Sequence, residues 1–582
     1  MNSFKLISPY FYQRRHLIAT GIACLMVVDT LQLCIPRVIK WAVDDLTSLQ
    51  IDTRQLAIYA AEILCIALLM AALRFVWRRF LIGTARVVEK KLRDKLFAHI
   101  QTLSAGFFDR TKTGDLMAHA TNDIANIRMA VGMGMVAMTD AIFLGSAAIC
   151  FMAYINVKLT LFAIIPMPVI VFVTRSFGKK MHKRYTRVQA TFSDLTESVR
   201  ESFAGIRVVK AFNRQTDAAD RVAADSKKYI RENLNLVKIT GTFFPMMILF
   251  TNISLAIVLF LGGHQTITGV ITTGDFVAFI SYLNLLTWPM MAMGWVTNLI
   301  QRGAASIDRL NRILQTQPEI IERPDAVSQT EFSGKISFQN ICFAYPSDSR
   351  PVLHNIDFTV CPGSVLGIVG PQGSGKTSIL RLIPRIYEIS SGKITIDDIN
   401  IQQLKLTDLR KNIGFVPQEP FLFSGTIRDN ITFGENIDDK KIFESTKAAA
   451  LYKTICAFPD GLDTIVGEKG VVLSGGQKQR IVLARALICN PPILLMDDPI
   501  GQVDTQTAAA IIDTIRSLSS TKTIIIVSHR LAAVRFADHI IVLNNGRIAE
   551  SGTHETLIAR NNYYSNSYKI QSAEELEEQP EK

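Results

Sequence analysis

Six apolar stretches between residues 17 and 299 constrain the fold of this chain more than any other feature. They are Leu17–Val38, Leu56–Leu73, Val131–Ile155, Leu159–Val173, Phe243–Leu261 and Phe276–Leu299. A helix needs about 20 predominantly apolar residues to cross a bilayer, and these stretches reach or approach that length. Six of them in one region, with a mean hydropathy of +0.23, predict a membrane-spanning helical bundle rather than the buried helices of a soluble protein.

The basic residues indicate how the bundle is oriented. Two long polar stretches, Arg74–Ala130 and Thr174–Gly241, separate the second span from the third and the fourth from the fifth. The first holds 11 Lys/Arg against 5 Asp/Glu and the second 15 against 7, within a chain of net charge +12. An excess of Lys and Arg marks cytoplasmic loops. We therefore expect both stretches and both termini in the cytoplasm, and no nucleic-acid partner, because the charges are spread rather than gathered in one patch.

Apolar residues recur at helical spacing within both polar stretches, for example at Leu92, Leu96 and Leu103. This period is typical of amphipathic helices. It predicts that the membrane helices extend into the cytoplasm as hairpins, with tips near Asp109–Asp115 and Ala211–Thr216.

Three acidic residues, Asp29, Glu62 and Asp140, lie inside the predicted spans. A charged group in lipid is costly and usually faces a cavity or a partner. Arg74 is one possible partner by depth. Two interpretations stay open at this point: a structural ion pair, and a lining of the substrate path.

The composition changes after Leu314. Residues 315–334 are polar, contain two prolines and lack a strong period, which predicts a linker. Beyond them, short apolar strands alternate with helical patterns, which predicts an α/β domain with a largely parallel sheet. The predicted strands are Ile336–Phe338, Val365–Val369, Ile394–Ile396, Ile413–Val416, Ile493–Met496, Thr523–Val527 and His539–Leu543. We expect a transmembrane domain over residues 1–314, the α/β domain over 335–570 and an acidic tail over 571–582.

A phosphate-binding motif follows the second of these predicted strands. Residues 370–377 read Gly-Pro-Gln-Gly-Ser-Gly-Lys-Thr and match Gly-x-x-x-x-Gly-Lys-Thr, with a helical pattern after them. Glycines let backbone N–H groups face phosphate oxygens, lysine neutralises the β- and γ-phosphates, and threonine binds Mg²⁺. The predicted nucleotide-binding residues are Gly370, Gly373, Ser374, Gly375, Lys376, Thr377 and Ser378.

Two carboxylates end the strand Ile493–Met496. Asp497 stands where a P-loop protein carries its Mg²⁺-organising acid, and Asp498 stands where a general base or water-positioning carboxylate belongs. Upstream, residues 473–477 read Leu-Ser-Gly-Gly-Gln.

With these motifs in this order, the chain resembles half of an ATP-binding cassette (ABC) transporter of the exporter type, most nearly the bacterial multidrug-resistance-like half-transporters. The resemblance runs from about Phe4 to Tyr568. It implies that two ATP-binding cassette domains pair head to tail. The Leu-Ser-Gly-Gly-Gln signature of one domain then completes the ATP site on the P-loop of the other. The signature residues are Ser474, Gly475, Gly476 and Gln477.

The resemblance also assigns roles outside the P-loop. Tyr345 resembles the aromatic that stacks on adenine, Gln418 the Q-loop glutamine that reaches Mg²⁺, and His529 the switch histidine at the γ-phosphate. Asp504 resembles the D-loop aspartate, and Val466–Gly470 resembles the exporter X-loop. The hairpin tips resemble the cytoplasmic loops that dock on the cassettes.

Two departures from the family pattern matter. The catalytic glutamate of the family is Asp498 here, and the D-loop reads Gly-Gln-Val-Asp at residues 501–504 instead of Ser-Ala-Leu-Asp. A general base must come within about 2.6–3.2 Å of the proton it takes, and aspartate is one methylene shorter than glutamate. We expect this site to bind ATP and Mg²⁺ but to hydrolyse ATP slowly.

These residues predict the degenerate-site half of a heterodimeric exporter in the plasma membrane, which in bacteria is the inner membrane. Its partner would be a second half-transporter with the consensus glutamate, and its substrate a hydrophobic or amphipathic small molecule or lipid. Two alternatives stay open: a homodimeric lipid or drug flippase with slow turnover, and a membrane-tethered ATP-dependent regulator that transports nothing.

Overall fold

A computed structural model describes residues 3–48, 52–346, 348, 350–467 and 473–577. Within these residues the chain forms two compact units. The first comprises Met1–Gln101 with Gly114–Thr316, and the second comprises Thr102–Thr113 with Gln317–Lys582. Residues 109–113 of the first predicted hairpin tip therefore belong to the second unit.

All the elements that the structure describes before the first strand are helices. The helices are α1 (Ser8–Gln13), α2 (Arg15–Thr47), α3 (Thr53–Trp77), α4 (Gly83–Thr102), α5 (Ala105–Arg110), α6 (Thr113–Ala118), α7 (Ile124–Met129), α8 (Met135–Ile155), α9 (Val157–Ile164), α10 (Met167–Ala204), α11 (Ile206–Ala211), α12 (Gln215–Ile257), α13 (Gly263–Ile267) and α14 (Thr273–Gln315). Single π-helical turns at Arg78–Ile82, His119–Asp123, Ala130–Gly134 and Val258–Gly262 join successive helices into longer rods. Of these helices, α5 alone lies entirely within the second unit.

In the described part of the chain, six helical rods are long and apolar enough to cross a membrane. They are Arg15–Thr47, Thr53–Thr102, Thr113–Ile155, Val157–Ala204, Gln215–Ile267 and Thr273–Gln315. Each contains one of the six predicted spans. The prediction of a six-helix membrane bundle is confirmed.

Helix α14 is held to α2 near its first residue. Thr272 caps α14 by accepting a hydrogen bond from the backbone N–H of Asp275, whose carboxylate accepts in return from the N–H of Thr272. Lys40 Nζ lies 2.6 Å from Asp275 Oδ1, and Gly274 N donates to Asp44 Oδ1 over 2.7 Å. Caps of this kind satisfy backbone donors that the first helical turn leaves free.

The second unit contains all the strands. They are β1 (Ile336–Phe343), β2 (Leu353–Val360), β3 (Val365–Val369), β4 (Ser391–Ile396), β5 (Ile399–Asn400), β6 (Ile413–Val416), β7 (Gly425–Thr426), β8 (Ile465–Val466), β9 (Ile493–Asp497), β10 (Thr523–Val527), β11 (His539–Asn544) and β12 (Arg547–Gly552). Its later helices are α15 (Lys376–Leu382), α16 (Leu406–Lys411), α17 (Ile427–Thr432), α18 (Asp439–Ala448), α19 (Tyr452–Cys456), α20 (Gly475–Ile488), α21 (Thr505–Leu518), α22 (His554–Ala559) and α23 (Tyr563–Glu577). The predicted α/β domain is confirmed.

The strands form two main sheets rather than one. The larger has the order β12-β11-β3-β10-β9-β6 and is parallel except at its β11–β12 edge. The smaller, β2-β1-β4-β5, is antiparallel, so two strands expected in a parallel sheet lie in this second sheet. Strands β3, β9 and β10 are buried at every residue, which explains their unbroken apolar sequence.

The predicted linker and tail can be compared with the elements that border them. No helix or strand lies between Gln315 and Ile336 in the structure, apart from one bridge that pairs Val327 with Leu404. Helix α23 continues to Glu577, so residues 571–577 of the predicted acidic tail are helical. Residues 578–582 lie outside the described residues.

Candidate functional site

The loop at residues 370–377 connects β3 to α15 and needs glycine at two of its turns. Gly370 has φ +146°, and a Cβ there would overlap the carbonyl oxygen of Leu543. Gly375 has φ +98°, and a Cβ there would lie 2.6 Å from Leu353 Cδ2. Glycine alone adopts such conformations without strain. Gly373, with φ +78°, borders open space, so the outer side of the loop is free for a ligand.

The ammonium group of Lys376 is drawn back against this loop. Its Nζ donates to the carbonyl oxygens of Gly370, over 2.9 Å, and Pro371, over 2.7 Å, and lies 3.4 Å from Ser374 Oγ. The side chain is buried, and this burial lowers the pKa of Lys376, although the carboxylates of Asp497 and Asp498 oppose the shift. A buried cation held only by neutral oxygens fits a site that receives phosphate charge.

Asp497 and Thr377 bring two oxygen ligands together beside the loop. The side chain of Thr377 lies close enough to the Asp497 carboxylate to affect its pKa. Burial raises the pKa of Asp497, while the neighbouring Thr377 side chain and the Arg381 charge act in the opposite direction. Carboxylate and hydroxyl oxygens are the ligands that Mg²⁺ prefers, so the pair fits that ion.

Asp498 is held in an unusual conformation. Its φ is +52°, its N–H donates to Val527 O over 2.7 Å, and its own carbonyl accepts from Gln479 Nε2 over 2.8 Å. Its carboxylate Oδ1 accepts from Ser528 Oγ over 2.8 Å. A Cβ on Gly501 would overlap Asp498 Oδ2, so the carboxylate fills space that a larger D-loop residue would need.

Two further predicted residues lie at the same edge of the parallel sheet. His529 follows β10, and its electrostatic neighbours are Lys376, Asp498 and Asp497. Desolvation and then the Lys376 charge lower the pKa of His529, and the carboxylates oppose this. Gln418 lies two residues beyond β6, whose Val416 pairs with Met496 of β9. Ligands of open α/β sheets bind at the carboxyl ends of the strands, where these side chains lie.

Tyr345, the predicted adenine-stacking residue, packs among other aromatics. Its hydroxyl lies 2.9 Å from Ser378 Oγ, one residue beyond the P-loop threonine. Its ring contacts Phe343 and Tyr387 edge-on, with centroid distances of 4.8 and 5.0 Å. These contacts fix the ring beside the first turn of α15.

The signature motif forms the N-terminus of α20. Ser474 accepts from the N–H of Gln477 over 3.3 Å, and Gln477 Oε1 accepts from the N–H of Ser474 over 2.9 Å. This reciprocal pair is a capping box. The structure therefore gives Gln477 a local role in capping α20, in addition to the role that the family resemblance implies.

The D-loop packs directly on the signature glycines of the same chain. A Cβ on Gly475 would lie 2.8 Å from Gln502 Oε1, and a Cβ on Gly476 would lie 2.9 Å from Gln502 O. Asp504 caps α21 by accepting from Thr507 N over 2.9 Å and from Thr507 Oγ1 over 2.7 Å, and these bonds lower its pKa. Within the predicted X-loop, Val466 ends β8, and Glu468, Lys469 and Gly470 lie outside the described residues.

Helix α5 is part of the nucleotide-binding unit. Tyr387 Oη donates to Asp109 Oδ2 over 2.8 Å, Arg110 pairs with Glu319 over 2.5 Å, and Ile320 N donates to Ser104 Oγ over 3.0 Å. Burial and the Asp109 carboxylate raise the pKa of Tyr387, so its hydroxyl stays protonated and donates. The sequence analysis did not predict Tyr387, Ser528 or Gln479 as site residues, because no sequence motif assigns them a role.

The comparisons with known proteins agree with this geometry. Residues 18–290 match the ABC transporter transmembrane region, and residues 353–501 match the ABC transporter family. The chain is 37% identical over 569 residues to the probable multidrug resistance ABC transporter ATP-binding/permease protein YheI of Bacillus subtilis (strain 168), covering 97% of each chain. It is 35% identical over 586 residues to the multidrug resistance-like ATP-binding protein MdlA of Escherichia coli (strain K12), covering 100% of this chain and 99% of that one.

Two further similarities extend the comparison. The ATP-dependent lipid A-core flippase of Syntrophus aciditrophicus (strain SB) is 34% identical over 558 residues, covering 96% of this chain and 92% of the flippase. The solved structure of a bacterial Atm1-family ABC exporter with ATP bound has a TM-score of 0.79 at 27% identity, covering 96% of this chain and 98% of that one.

The fold and the site together define a multi-pass membrane protein whose α/β domain binds ATP and couples its hydrolysis to transport. The chain belongs to the ABC transporter family, and it has the organisation of an exporter half-transporter.

Proposed function

We propose that this chain is one half of an exporter that uses ATP to move a hydrophobic or amphipathic substrate across the plasma membrane. The relatives named for multidrug resistance and for lipid A-core flipping support this substrate class. The basic stretches between spans support an orientation with both termini and the ATPase domain in the cytoplasm.

In this proposal the P-loop backbone and Lys376 hold the phosphates, and Tyr345 stacks on adenine. Thr377 and Asp497, with Gln418, hold Mg²⁺, which when bound would neutralise phosphate charge. The proximity of Thr377 to Asp497 and the hydrogen bonds of Lys376 to the P-loop carbonyls support these roles. His529 would contact the γ-phosphate, and Ser474–Gln477 would complete the site of a second chain.

The proposal that this chain's own ATP site is degenerate rests on the conformation of Asp498. Its short side chain is tied to Ser528 and fills the space over Gly501. A carboxylate held in this way is badly placed as a general base, because it must come within about 2.6–3.2 Å of the proton of the attacking water. We infer that this chain's own P-loop site binds ATP and hydrolyses it slowly.

The intact signature supports a heterodimeric partner. Residues 473–477 retain Leu-Ser-Gly-Gly-Gln, and Ser474 and Gln477 cap α20 with both hydrogen bonds in place. A well-formed signature can complete a competent ATP site on a partner chain. We therefore propose a second half-transporter that carries the consensus glutamate and performs most of the hydrolysis.

A homodimeric lipid flippase is the second candidate, and the similarity to the lipid A-core flippase favours it. In a homodimer both sites would carry Asp498, and both would turn over slowly. The two candidates therefore differ in subunit composition and in the distribution of hydrolysis between sites.

Purification of this chain from its native membrane under mild conditions separates the candidates. A heterodimer predicts a second, stoichiometric ABC subunit with glutamate at the position that corresponds to Asp498, and a homodimer predicts this chain alone. The purified complex in inverted vesicles should then accumulate an amphipathic probe only with MgATP. ATP hydrolysis without accumulation of any lipid or amphiphile would contradict the export proposal.

A further inference from the structure

His529 lies in a short segment after β10, residues 528–531, which we call the switch segment. Ser528 anchors one side of it. The Ser528 hydroxyl donates to Asp498 Oδ1 over 2.8 Å and accepts from the N–H of Arg530 over 3.0 Å. Ser528 is fully buried, so these two bonds tie the segment to the interior of the nucleotide-binding unit.

Gln571 of α23 provides a second anchor for the switch segment. Its side-chain Oε1 accepts from the N–H of Leu531 over 2.8 Å, and its Nε2 donates to the carbonyl oxygen of His529 over 2.8 Å. One amide group thus pairs with an acceptor and a donor of the same segment, as its chemistry allows. The two bonds join residues 42 and 40 positions apart in the chain.

These two bonds fix the backbone directly after His529. The carbonyl oxygen of His529 belongs to the peptide unit that leads to Arg530, and the N–H of Leu531 belongs to the next peptide unit. Because each peptide unit is planar, a hydrogen bond to one of its atoms restricts the rotation of the whole unit. Gln571 therefore restricts two successive peptide units of the switch segment.

The imidazole ring of His529 depends on this backbone for its position. Desolvation and then the Lys376 charge lower the pKa of His529, the Asp498 and Asp497 carboxylates oppose them, and no hydrogen bond from the described residues contributes. A ring that no hydrogen bond orients follows the backbone that carries it. Movement of the switch segment would therefore move the ring relative to the phosphate site.

Helix α23 is itself fixed to the unit about two turns before Gln571. The N–H of Tyr564 donates to Glu550 Oε1 over 3.4 Å, and its hydroxyl lies 2.8 Å from His554 Nδ1. The ring of Tyr568 contacts that of His554 edge-on, with centroids 5.1 Å apart. Tyr564, Tyr568 and Gln571 are spaced so that they share one face of the helix. The helix can therefore present Gln571 to the switch segment from a fixed base.

We propose that Gln571 is a positioning residue of this chain's ATP site, because it holds the switch segment so that His529 faces the γ-phosphate. The inference rests on the proposed function, in which His529 contacts that phosphate. Without the Gln571 bonds the segment would populate other conformations, and a nucleotide that needs His529 would bind only to the competent fraction. ADP lacks the γ-phosphate, so its affinity would not depend on the segment.

The test measures nucleotide affinity at this chain's P-loop in the native complex. The complex is photolabelled with 8-azido-ADP and Mg²⁺ in competition with unlabelled ADP or with AMP-PNP, a hydrolysis-resistant analogue that keeps the γ-phosphate. Electrophoresis then isolates the label on this chain. Gln571→Met keeps the length of the side chain and removes both bonds. It should weaken AMP-PNP binding about tenfold, the effect of losing hydrogen bonds of ordinary net strength, and leave ADP binding unchanged.

Two further variants and a control make the comparison specific. Gln571→Glu keeps the size of the side chain and an acceptor for Leu531, but its carboxylate cannot donate to the carbonyl of His529. It should weaken AMP-PNP binding as well. His529→Ala should weaken AMP-PNP binding, and its combination with Gln571→Met should weaken it no further, because both changes act on one contact. Lys569→Met removes only a hydrogen bond to Asn561 on the same helix and should leave both affinities unchanged.

The outcomes separate this inference from the function on which it rests. Wild-type AMP-PNP affinity in both Gln571 variants, together with a loss in His529→Ala, would overturn the positioning role alone. Equal losses of ADP and AMP-PNP affinity in the Gln571 variants would also overturn it, since they would show general damage to the site. Additive losses in the double variant would show that Gln571 acts elsewhere. Unchanged AMP-PNP affinity in His529→Ala would overturn the placement of His529 at the γ-phosphate, and the inference with it.

Discussion

The carboxylate of Asp498 occupies the space beside Gly501 that the Cβ of any other residue would require. Asp498 adopts φ +52° and its Oδ1 accepts from Ser528 Oγ over 2.8 Å, so the side chain is held towards the D-loop. The two departures of this chain from the family pattern, aspartate at 498 and glycine at 501, are thus in direct proximity in the structure.

Restoring the missing methylene should increase hydrolysis at this site. Asp498→Glu extends the carboxylate towards the position of the attacking water, and general base catalysis contributes about 10²–10⁴-fold to a rate. The gain is expected to be smaller than this, because the Gly-Gln-Val-Asp context of the D-loop is unchanged. The measurement is single-turnover ATP hydrolysis by the native complex with the partner site inactivated.

Asp498→Asn is the matched control, since it keeps the size of the side chain and removes its charge. It should change total ATPase activity far less than the corresponding change of the partner's glutamate, because a slow site has little rate to lose. Abolished turnover in Asp498→Asn would identify this chain as a full catalytic subunit.

Gly501→Ala should destabilise the protein through its contact with Asp498. The backbone of Gly501 does not have a positive φ, so overlap with the carboxylate is the main cost, about 1–3 kcal/mol for an overpacked site. Thermal unfolding of the full chain in detergent measures the loss. Gly501→Ala combined with Asp498→Ala should recover much of it, whereas strictly additive losses would show that the two residues do not interact.

The parts of the fold that the sequence predicted well have strong local patterns. All six membrane rods contain the apolar stretches expected of them, because lipid leaves few alternatives to a helix of that length. Strands β3, β9 and β10 were found for the same reason, since a strand buried on both faces is apolar throughout. Strand β2 was missed because its exposed and buried residues are mixed, and its pairing with β1 depends on residues distant in the chain.

The sequence predicted the site residues that lie in continuous motifs. It did not predict contacts between residues that are far apart in the chain. The P-loop and the signature lie in continuous stretches of sequence, so their residues could be named in advance. The hydrogen bond between Asp109 and Tyr387 joins residues 278 positions apart, and no local pattern marks either of them as its donor or acceptor. Within the predicted hairpin tip, Asp109–Asp115, the residues up to Thr113 belong to the nucleotide-binding unit, and no local pattern in the sequence marks this boundary.

Lys376→Ala should weaken nucleotide binding to this chain. The ammonium group is buried against the P-loop carbonyls and Ser374, with Asp497 and Asp498 as its charged neighbours, so its loss removes the main positive charge of the site. Equilibrium binding of a fluorescent ATP analogue with Mg²⁺ gives the affinity. Lys393→Ala, which removes an exposed lysine of β4, is the control and should bind normally. Unchanged occupancy of this site in Lys376→Ala would count against the P-loop assignment.

Tyr387→Phe should reduce the amount of substrate moved per ATP hydrolysed while leaving ATP affinity nearly unchanged. The substitution removes the hydroxyl that donates to Asp109 Oδ2 but keeps the ring, whose centroid lies 5.0 Å from that of Tyr345. A hydrogen bond to a charged group contributes about 1.5–3 kcal/mol, enough to loosen α5 from the nucleotide-binding unit without unfolding it. The ratio of probe accumulation to ATP hydrolysis in proteoliposomes measures the effect.

Asp109→Asn should lower the same ratio, and the double variant should lower it no further, because both changes act on one bond. Tyr452→Phe, which removes a hydroxyl outside this contact, should behave as wild type, and a Tyr387→Phe variant that transports normally would show that the bond does not contribute to coupling.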